Sequence, residues 1–310
     1  MPLSLAAQAM LDQMTARAPD WKTISPLEFR AMSAAMLQPP DAEDRVVTRD
    51  LDADGVPVRL FRRAEAGDDR EPVLLFLHGG GYIACSVDSH ARLCSRLARL
   101  AECAVLSVEY RLAPEHIYPA AVEDSWTALT WLAREAASLG LDPARIAIGG
   151  DSAGGTLATV AAMRARDAGG PPLVAQLLIY PGTDMVTNTE SRRLYSDGYF
   201  LDSDFSRLCL DAYAPEPIDR ANAGLSPLRA KSLAGLPPAV ILTAECDPLR
   251  DEGAAYAERL RAEGGRSDYH MYPGTFHGFV SMFGMLAEAD AAVGAAAAAL
   301  KAAFEEGDAQ

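Results

Sequence analysis

Short apolar segments alternate with longer segments of helical periodicity over most of the chain. Many of the apolar segments are bounded by Gly, Pro or charged residues, as buried strands are. Alternation of this kind predicts an α/β fold, in which a mostly parallel sheet is covered by helices on both faces. The predicted strands are residues 56–61, 73–77, 104–109, 145–148, 174–180, 240–243 and 268–271.

Three segments are predicted to be helices. Residues 120–139 have helical spacing, and we expect Trp126 and Trp131 to pack against the sheet. Residues 254–263 are followed by two glycines, which suit the end of a helix. The alanine-rich segment 285–304 predicts a final helix, because alanine is a strong helix former.

Residues 1–45 and 183–225 do not follow the alternation. The first segment is helical in pattern but precedes the predicted sheet, and the second separates two predicted strands. Packing in a core is the default role of their apolar side chains. Those side chains are Met10, Met14, Trp21, Phe29, Met32 and Met36 in the first segment, and Tyr195, Tyr199, Phe200, Phe205, Leu208 and Tyr213 in the second.

Residues 145–156 run from an apolar strand through a Gly-Asp-Ser-Ala-Gly turn, centred on Ser152, into a predicted helix. In a Gly-x-Ser-x-Gly turn the serine adopts a strained backbone conformation, and the glycines avoid the collisions that Cβ atoms would make there. The hydroxyl of Ser152 would then face substrate at the edge of the sheet. The motif also occurs by chance in Gly-rich loops. Whether Ser152 is a nucleophile therefore depends on finding its chemical partners elsewhere in the chain.

A serine nucleophile needs a histidine base, and a carboxylate that orients this base. In folds with such a turn the order along the chain is serine, acid, histidine, which leaves His270 and His277 as candidates. His270 lies in a segment with strand alternation and is expected to be a strand residue. His277 lies in a Gly-rich loop after that strand and is the predicted base.

The carboxylate is expected just after the apolar segment 239–244. Residues at the C-terminal ends of parallel strands collect at the ligand-binding edge of an open α/β sheet. Asp247 and Glu245 both satisfy this condition, and Asp251 is a weaker candidate. Asp247 would equally suit the start of a helix that Pro248 opens. Spacing alone does not separate Asp247 from Glu245.

The predicted strand 73–77 opens into a His-Gly-Gly-Gly segment that begins at His78. Consecutive glycines let backbone N–H groups converge on a developing oxyanion, and Ala153, the residue after the serine, would donate another. A phosphate-binding loop is disfavoured, because neither Gly-Lys-Ser/Thr nor Gly-x-Gly-x-x-Gly spacing is present. We expect His78 to shape the loop and not to act as a base.

These motifs resemble those of the hormone-sensitive-lipase-like (bacterial family IV) esterases of the α/β-hydrolase superfamily. Their order and separation match the family from about residue 40 to the C-terminus. The stretches that carry the resemblance are 78–81 (HGGG), 110–116 (YRLAPEH), 150–155 (GDSAGG), 247–253 (DPLRDEG) and 277–279 (HGF).

The resemblance implies an α/β-hydrolase fold with a helical cap, and a catalytic triad of Ser152, Asp247 and His277. It thereby favours Asp247 over Glu245. It also implies that Arg111 and Glu115 are structural anchors near the site. For the oxyanion hole it implies the N–H groups of Gly80, Gly81 and Ala153, with Gly79 shaping the loop before them.

The family builds its cap from the two segments that interrupt the alternation here. We therefore expect residues 1–45 and 183–225 to form a helical lid on a catalytic core of residues 46–182 and 226–310. Such a lid would provide an apolar, aromatic and Met-rich substrate pocket. The candidate substrate-binding residues are Tyr82, Tyr195 and Phe200.

Composition and charge limit the other function classes. With 310 residues and 49% hydrophobic content, the chain is long enough for one large domain with a small addition. Its formal net charge of -15 disfavours nucleic acid and anionic membranes as partners, and strongly anionic molecules as substrates. Five cysteines without a Cys-x-x-Cys pair indicate free thiols in a reducing compartment. No metal or other cofactor is expected.

No apolar run is long enough to cross a bilayer, and the N-terminal residues lack the features of a signal peptide. We therefore expect a soluble, cytoplasmic protein without integral membrane association. The resemblance implies a monomer or a homodimer.

Together these features predict a serine carboxylesterase that hydrolyses short- to medium-chain carboxylic esters through an acyl-enzyme intermediate. An amidase or an aryl-formamide hydrolase would use the same triad and is the alternative. A non-catalytic ligand-binding protein on the same scaffold is disfavoured, because all three residues of the expected triad are present.

Overall fold

The computed structural model describes residues 3–35, 37, 39–65, 67 and 69–308. Within these residues, eight strands form one sheet. The strands are β1 (Val46–Ala53), β2 (Val56–Arg63), β3 (Glu71–Leu77), β4 (Ala104–Val108), β5 (Leu141–Asp151), β6 (Ala175–Ile179), β7 (Ala239–Cys246) and β8 (Ser267–Phe276).

The order across the sheet is β1-β2-β4-β3-β5-β6-β7-β8. Strand β2 runs antiparallel to both of its neighbours, and the other neighbouring pairs are parallel. Strands β4 and β6 are buried along their whole length, which explains why their sequences are almost continuously apolar. The predicted α/β fold is confirmed.

The helices connect the strands and cover both faces of the sheet. They are α1 (Leu5–Thr15), α2 (Pro26–Ala34), α3 (Ala91–Leu100), α4 (Ala120–Glu135), α5 (Ala153–Ala168), α6 (Glu190–Leu194), α7 (Ser203–Tyr213), α8 (Arg250–Ala262) and α9 (Ala287–Asp308), with short 3-10 turns at Ala42–Asp44, Ala136–Leu139, Pro227–Arg229 and Phe279–Met282. Helices α4, α5 and α8 share one hydrophobic core, and α1, α3 and α9 share the other. None of the helices in the described ranges has the length and apolar character needed to cross a membrane.

Strand β1 was not among the predicted strands. Most of its residues are exposed, because it lies at the edge of the sheet and pairs with β2 alone. An edge strand of this kind carries polar side chains and lacks the apolar run of a buried strand. The link to β2 is a tight turn at Asp54 and Gly55, both with positive φ.

The two segments outside the alternation each contain two helices, α1 and α2 in the first and α6 and α7 in the second, and their aromatic side chains meet. Trp21 and Phe29 from the N-terminal segment both pack against Phe205 of α7, with ring centroids 4.6 and 5.0 Å from that of Phe205. Helix α1 instead packs into the core shared with α9. Met32 is exposed, and Met36 lies outside the described residues.

Candidate active site

Ser152 occupies the sharp turn between β5 and α5, with φ 53° and ψ -117°. This left-handed conformation is strained for a residue with a side chain. A Cβ atom at Gly150 or at Gly154 would collide with the carbonyl oxygen of Leu77 in the neighbouring strand. The turn therefore needs glycine on both sides of the serine, which is the local reason for the Gly-x-Ser-x-Gly pattern.

The structure brings Ser152, His277 and Asp247 together. The Nε2 atom of His277 lies 2.9 Å from Oγ of Ser152, and Nδ1 of His277 lies 2.7 Å from Oδ2 of Asp247. Asp247 is fully buried and His277 is 5% exposed. This is the hydrogen-bonded order in which a histidine can take the proton of a serine while a carboxylate holds the ring.

The structure also separates the three candidate carboxylates. Asp247 contacts His277, and its other oxygen, Oδ1, accepts a hydrogen bond of 2.8 Å from the backbone N–H of Leu249. The alternative role as helix N-cap is wrong, because α8 begins at Arg250 and its N-cap residue is Leu249. Glu245 instead accepts from the N–H of Gly274, and Asp251 accepts from the N–H of Ser191.

The glycine loop after β3 faces the serine turn. Gly80 and Gly81 have positive φ, and both line the same cavity as Ser152, Ala153 and His277. Within the described part of the chain, the N–H groups of Gly80, Gly81 and Ala153 have no protein acceptor. They are therefore available to an oxygen atom of a bound substrate.

Asp151 and His90 form a buried pair behind this loop. This pair was not predicted from the sequence. Oδ1 of Asp151 lies 3.0 Å from Nε2 of His90 and accepts a hydrogen bond of 2.8 Å from the N–H of Gly79. Burial opposes charge on both side chains, but their mutual attraction lowers the pKa of Asp151 and raises the pKa of His90. The sequence feature that could have pointed to Asp151 is its position in the Gly-Asp-Ser-Ala-Gly motif, directly before Ser152.

The other two histidines considered have structural roles. His78 is buried and stacks on Tyr110, and its Nδ1 lies 2.7 Å from the carbonyl oxygen of Gly79. Burial lowers the pKa of His78 to about 3, so the ring is neutral. His270 lies on β8 beside Asp268, away from Ser152. The prediction that His270 is a strand residue is confirmed.

Arg111 and Glu115 anchor the loop that follows β4. Arg111 forms a bidentate ion pair with Asp124, and Glu115 forms one with Arg30 of α2. Arg30 also donates to the carbonyl oxygen of Ile83, two residues beyond the glycine loop. The N-terminal segment is thereby attached to the structure around the site.

A cavity of about 300 Å³ opens over Ser152. Of the candidate substrate-binding residues, Tyr82 and Phe200 line it and Tyr195 does not. The ring of Tyr195 packs edge-on against Tyr199, and its hydroxyl accepts a hydrogen bond from Arg250. Tyr195 therefore supports the contact between α6 and α8, which corrects its predicted role in the pocket.

The cavity is mostly apolar, and its lining combines the core with both extra segments. Met14 and Phe29 come from the N-terminal segment, and Phe205 and Leu210 come from α7. At this site and in the rest of the described residues, no group of three or more His, Cys, Asp or Glu side chains is placed to hold a metal ion.

Comparison with known proteins agrees with this geometry. A family model described as the alpha/beta hydrolase fold matches residues 74–281. Esterase LipI of Mycobacterium tuberculosis is 43% identical over 85% of this chain and 84% of its own length. Carboxylesterase NlhH of the same organism is 42% identical over 89% of this chain and 88% of its own length.

Among solved structures, the ester-hydrolase EH1AB1 from the metagenome of Lake Arreo superimposes with a TM-score of 0.91. It is 38% identical, and the match covers 98% of this chain and 99% of that chain. The fold, the motifs and these similarities agree: the chain belongs to the α/β-hydrolase fold family and, within it, to the hormone-sensitive-lipase-like esterases.

Proposed function

We propose that this chain is a carboxylesterase that hydrolyses its substrates through an acyl-enzyme on Ser152. The observation that carries the proposal is the continuous hydrogen-bonded chain from Ser152 through His277 to Asp247, at 2.9 and 2.7 Å. These three side chains meet at a mostly apolar cavity, which is the kind of surface that binds the acyl or alcohol group of an ester.

In the first step His277 takes the proton of Ser152 as Oγ attacks the ester carbonyl carbon. His277 then returns this proton to the leaving alcohol, and the acyl group remains on Ser152. Water, activated by the same histidine, attacks the acyl-enzyme and releases the acid. Asp247 keeps Nδ1 of His277 protonated, so that Nε2 is free to act as the base.

The oxyanion formed in each step is assigned to the N–H groups of Gly80, Gly81 and Ala153. Each of them lines the cavity and has no protein acceptor in the described structure. Donors that are fixed before reaction stabilise developing charge at little reorganisation cost. Gly79 has a different role, because its N–H is already bound to Asp151.

Residues 1–45 and 183–225 are assigned to a cap on a catalytic core of residues 46–182 and 226–310. The contacts of Trp21 and Phe29 with Phe205 support this division, since they join the two segments over the cavity. A volume of about 300 Å³ is at the small end for ligand pockets, which favours short- to medium-chain esters.

The substrate is a small ester, and the net charge of -15 argues against nucleic acid as a partner. We assign the protein to the cytoplasm, a reducing compartment. All five cysteines lie within the described residues and are free thiols. The assigned oligomeric state is a monomer or a homodimer.

A fluorophosphonate probe together with a set of 4-nitrophenyl esters, from acetate to palmitate, tests the proposal. We expect the probe to label Ser152, and Ser152→Ala to lower turnover by at least about 10⁴-fold while the protein stays folded. Matching anilides test the amidase alternative in the same assay. Substantial ester hydrolysis by folded Ser152→Ala would refute the proposal.

A further inference from the structure

A second cavity, of about 520 Å³, lies beside α6 and α7 and has a different chemical character from the first. Four arginines and three serines line it, and no acidic residue does. We call it the arginine cavity. Its lining residues are Asn188, Arg192, Arg193, Ser196, Leu201, Ser203, Ser206, Arg207, Leu210, Arg220 and Pro248.

The guanidinium groups of this cavity keep unused donors. The described residues provide no acceptor for Nη1 of Arg192, Arg207 or Arg220. Arg193 donates from Nη1 to the carbonyl oxygen of Asn188 and, within the described structure, pairs with no carboxylate. Planar guanidinium groups with free N–H donors are well suited to bind phosphate or carboxylate oxygens.

The acidic partners of these arginines lie outside the cavity. Glu252 pairs with Arg192, Asp204 with Arg207, and Asp211 with Arg220. None of these three carboxylates is part of the cavity lining. They therefore hold the guanidinium groups in place and leave unused N–H donors at the cavity, where Arg193 adds a charge that no described carboxylate pairs with.

Helix α7 adds further donors to the same cavity. Ser203 and Ser206 lie in its first turn and line the cavity, while the side chain of Asp202 caps the helix itself. In the described structure neither hydroxyl is bonded to another protein group. Arginines, serines and a helix start thus converge on one volume, in a chain whose net charge is -15.

We propose that the arginine cavity binds a small polyanion, a molecule that carries phosphate groups or several carboxylates. The cavity shares the wall residues Arg192, Leu201, Ser206 and Leu210 with the cavity over Ser152. Because the two cavities adjoin, the bound anion is either a free effector or the anionic end of a substrate whose ester group lies at Ser152. The proposal departs from the expectation, drawn from the net charge, that strongly anionic molecules are disfavoured.

Arg192 provides a physical connection between anion binding and hydrolysis. It donates to the buried carboxylate of Glu252 at 2.7 Å, and Glu252 accepts from the backbone N–H groups of Thr183 and Asp184, where the cap insertion begins. An anion that competes for the guanidinium of Arg192 would change how α6 is held against α8. Occupancy of the arginine cavity is therefore expected to alter the kinetics of hydrolysis.

Isothermal titration calorimetry with pyrophosphate, at constant ionic strength, tests binding directly and does not require turnover. We expect saturable binding to the wild type, weakened about 100-fold in Arg193→Gln/Arg207→Gln, since each guanidinium lost costs about tenfold. Arg266→Gln is the matched control. It removes one positive charge, as Arg193→Gln alone does, from an exposed arginine just before β8, and should leave binding unchanged.

Kinetics with two esters identify the source of the anion. If the anion is a free effector, pyrophosphate changes kcat or KM for 4-nitrophenyl butyrate in the wild type, and not in Arg193→Gln/Arg207→Gln. If it belongs to the substrate, the double variant raises KM for the 4-nitrophenyl monoester of a tricarboxylic acid, which keeps two carboxylates, and leaves the butyrate unaffected. Either result supports the proposal.

The proposal is overturned if pyrophosphate gives no saturable heat, or if the wild type and the double variant bind it equally. Loss of binding in Arg266→Gln as large as in Arg193→Gln alone would also overturn it, because the effect would then come from net charge. Arg193→Gln alone serves the same test if the double variant does not fold. Because binding is measured without turnover, an absence of esterase activity would contradict the proposed function and leave this test intact.

Discussion

The backbone N–H of Gly79 donates a hydrogen bond of 2.8 Å to the side chain of Asp151. Asp151 directly precedes Ser152, so this bond fixes the glycine loop to the serine turn. The proposed oxyanion donors and the proposed nucleophile come from segments far apart in the sequence. Asp151 is therefore a positioning residue, which acts through Gly79 and does not need to touch the substrate.

Replacing Asp151 with alanine tests this relationship. We expect kcat to fall about 10- to 100-fold and KM to change little, because displaced oxyanion donors affect the transition state more than the bound ester. Asp151→Asn keeps an oxygen that can accept from Gly79 and should recover most of the lost kcat. Equal losses in the two variants, or a change confined to KM, would contradict the positioning role. Steady-state kinetics on 4-nitrophenyl butyrate give both values.

The pair formed by Asp151 and His90 predicts a pH-dependent contribution to stability. Burial alone would lower the pKa of His90, but the charge of Asp151 outweighs it and raises the pKa above its usual range. A histidine whose pKa is higher in the folded state stabilises the fold fully below its unfolded pKa, about 6.5, and this contribution is lost as the pH rises through the folded pKa.

His90→Gln should therefore lower the free energy of unfolding more at pH about 5.5 than at pH about 9. Denaturant unfolding of both proteins at the two pH values measures the difference. Glutamine can still donate to Asp151, so the variant removes the charge and keeps a hydrogen bond. A difference that is constant with pH, or larger at high pH, would show that His90 does not carry charge in the folded protein.

Asp247 and Glu245 provide a matched pair of substitutions. In Asp247→Asn the amide oxygen can keep the hydrogen bond from Leu249, while the amide nitrogen faces Nδ1 of His277 and favours the wrong tautomer. We expect kcat to fall by about 10³- to 10⁴-fold with a small change in thermal stability. Glu245→Gln keeps an acceptor for Gly274 and should retain activity within about twofold.

The two variants together distinguish the acid from its neighbour. Thermal unfolding shows whether each protein is folded, and kcat shows which carboxylate serves His277. A larger loss of kcat in Glu245→Gln than in Asp247→Asn would assign the acid to Glu245 and contradict the proposed triad.

The sequence was most informative where a local pattern has a single physical cause. Buried parallel strands such as β4 and β6 must be apolar on both faces, so their positions could be predicted from composition alone. Similarly, the turn at Ser152 needs glycines because Cβ atoms would collide with Leu77. Edge strand β1 is mostly exposed, and its sequence has no comparable signal.

Features that depend on contacts between distant segments could not be predicted. Nothing near His90 indicates that its ring lies beside Asp151. Tyr195 and Phe200 look alike as aromatic residues of the same segment, and only the fold shows that Phe200 lines the cavity while Tyr195 packs beside Arg250. The arginine cavity had no signal either, since its charged residues come from separate turns and helices.

The contact between Phe205 and the N-terminal segment predicts control of acyl-chain length. Phe205 is buried, lines the cavity and touches both Trp21 and Phe29. Phe205→Leu should enlarge the cavity, and raise kcat/KM for 4-nitrophenyl octanoate relative to butyrate by about tenfold, since each methylene accommodated contributes at least that much. It should also lower the free energy of unfolding by about 1–3 kcal/mol.

Phe304→Leu is the control for this experiment. Phe304 is also buried, but it lies on α9 in the core on the other face of the sheet. The variant should lose similar stability without changing the ratio of kcat/KM for the two esters, because α9 does not contribute to the cavity lining. If both variants shift the ratio equally, chain-length preference responds to general loosening of the fold. A shift confined to Phe205→Leu would mean that α7, held by Trp21 and Phe29, sets the length of acyl chain that the cavity accepts.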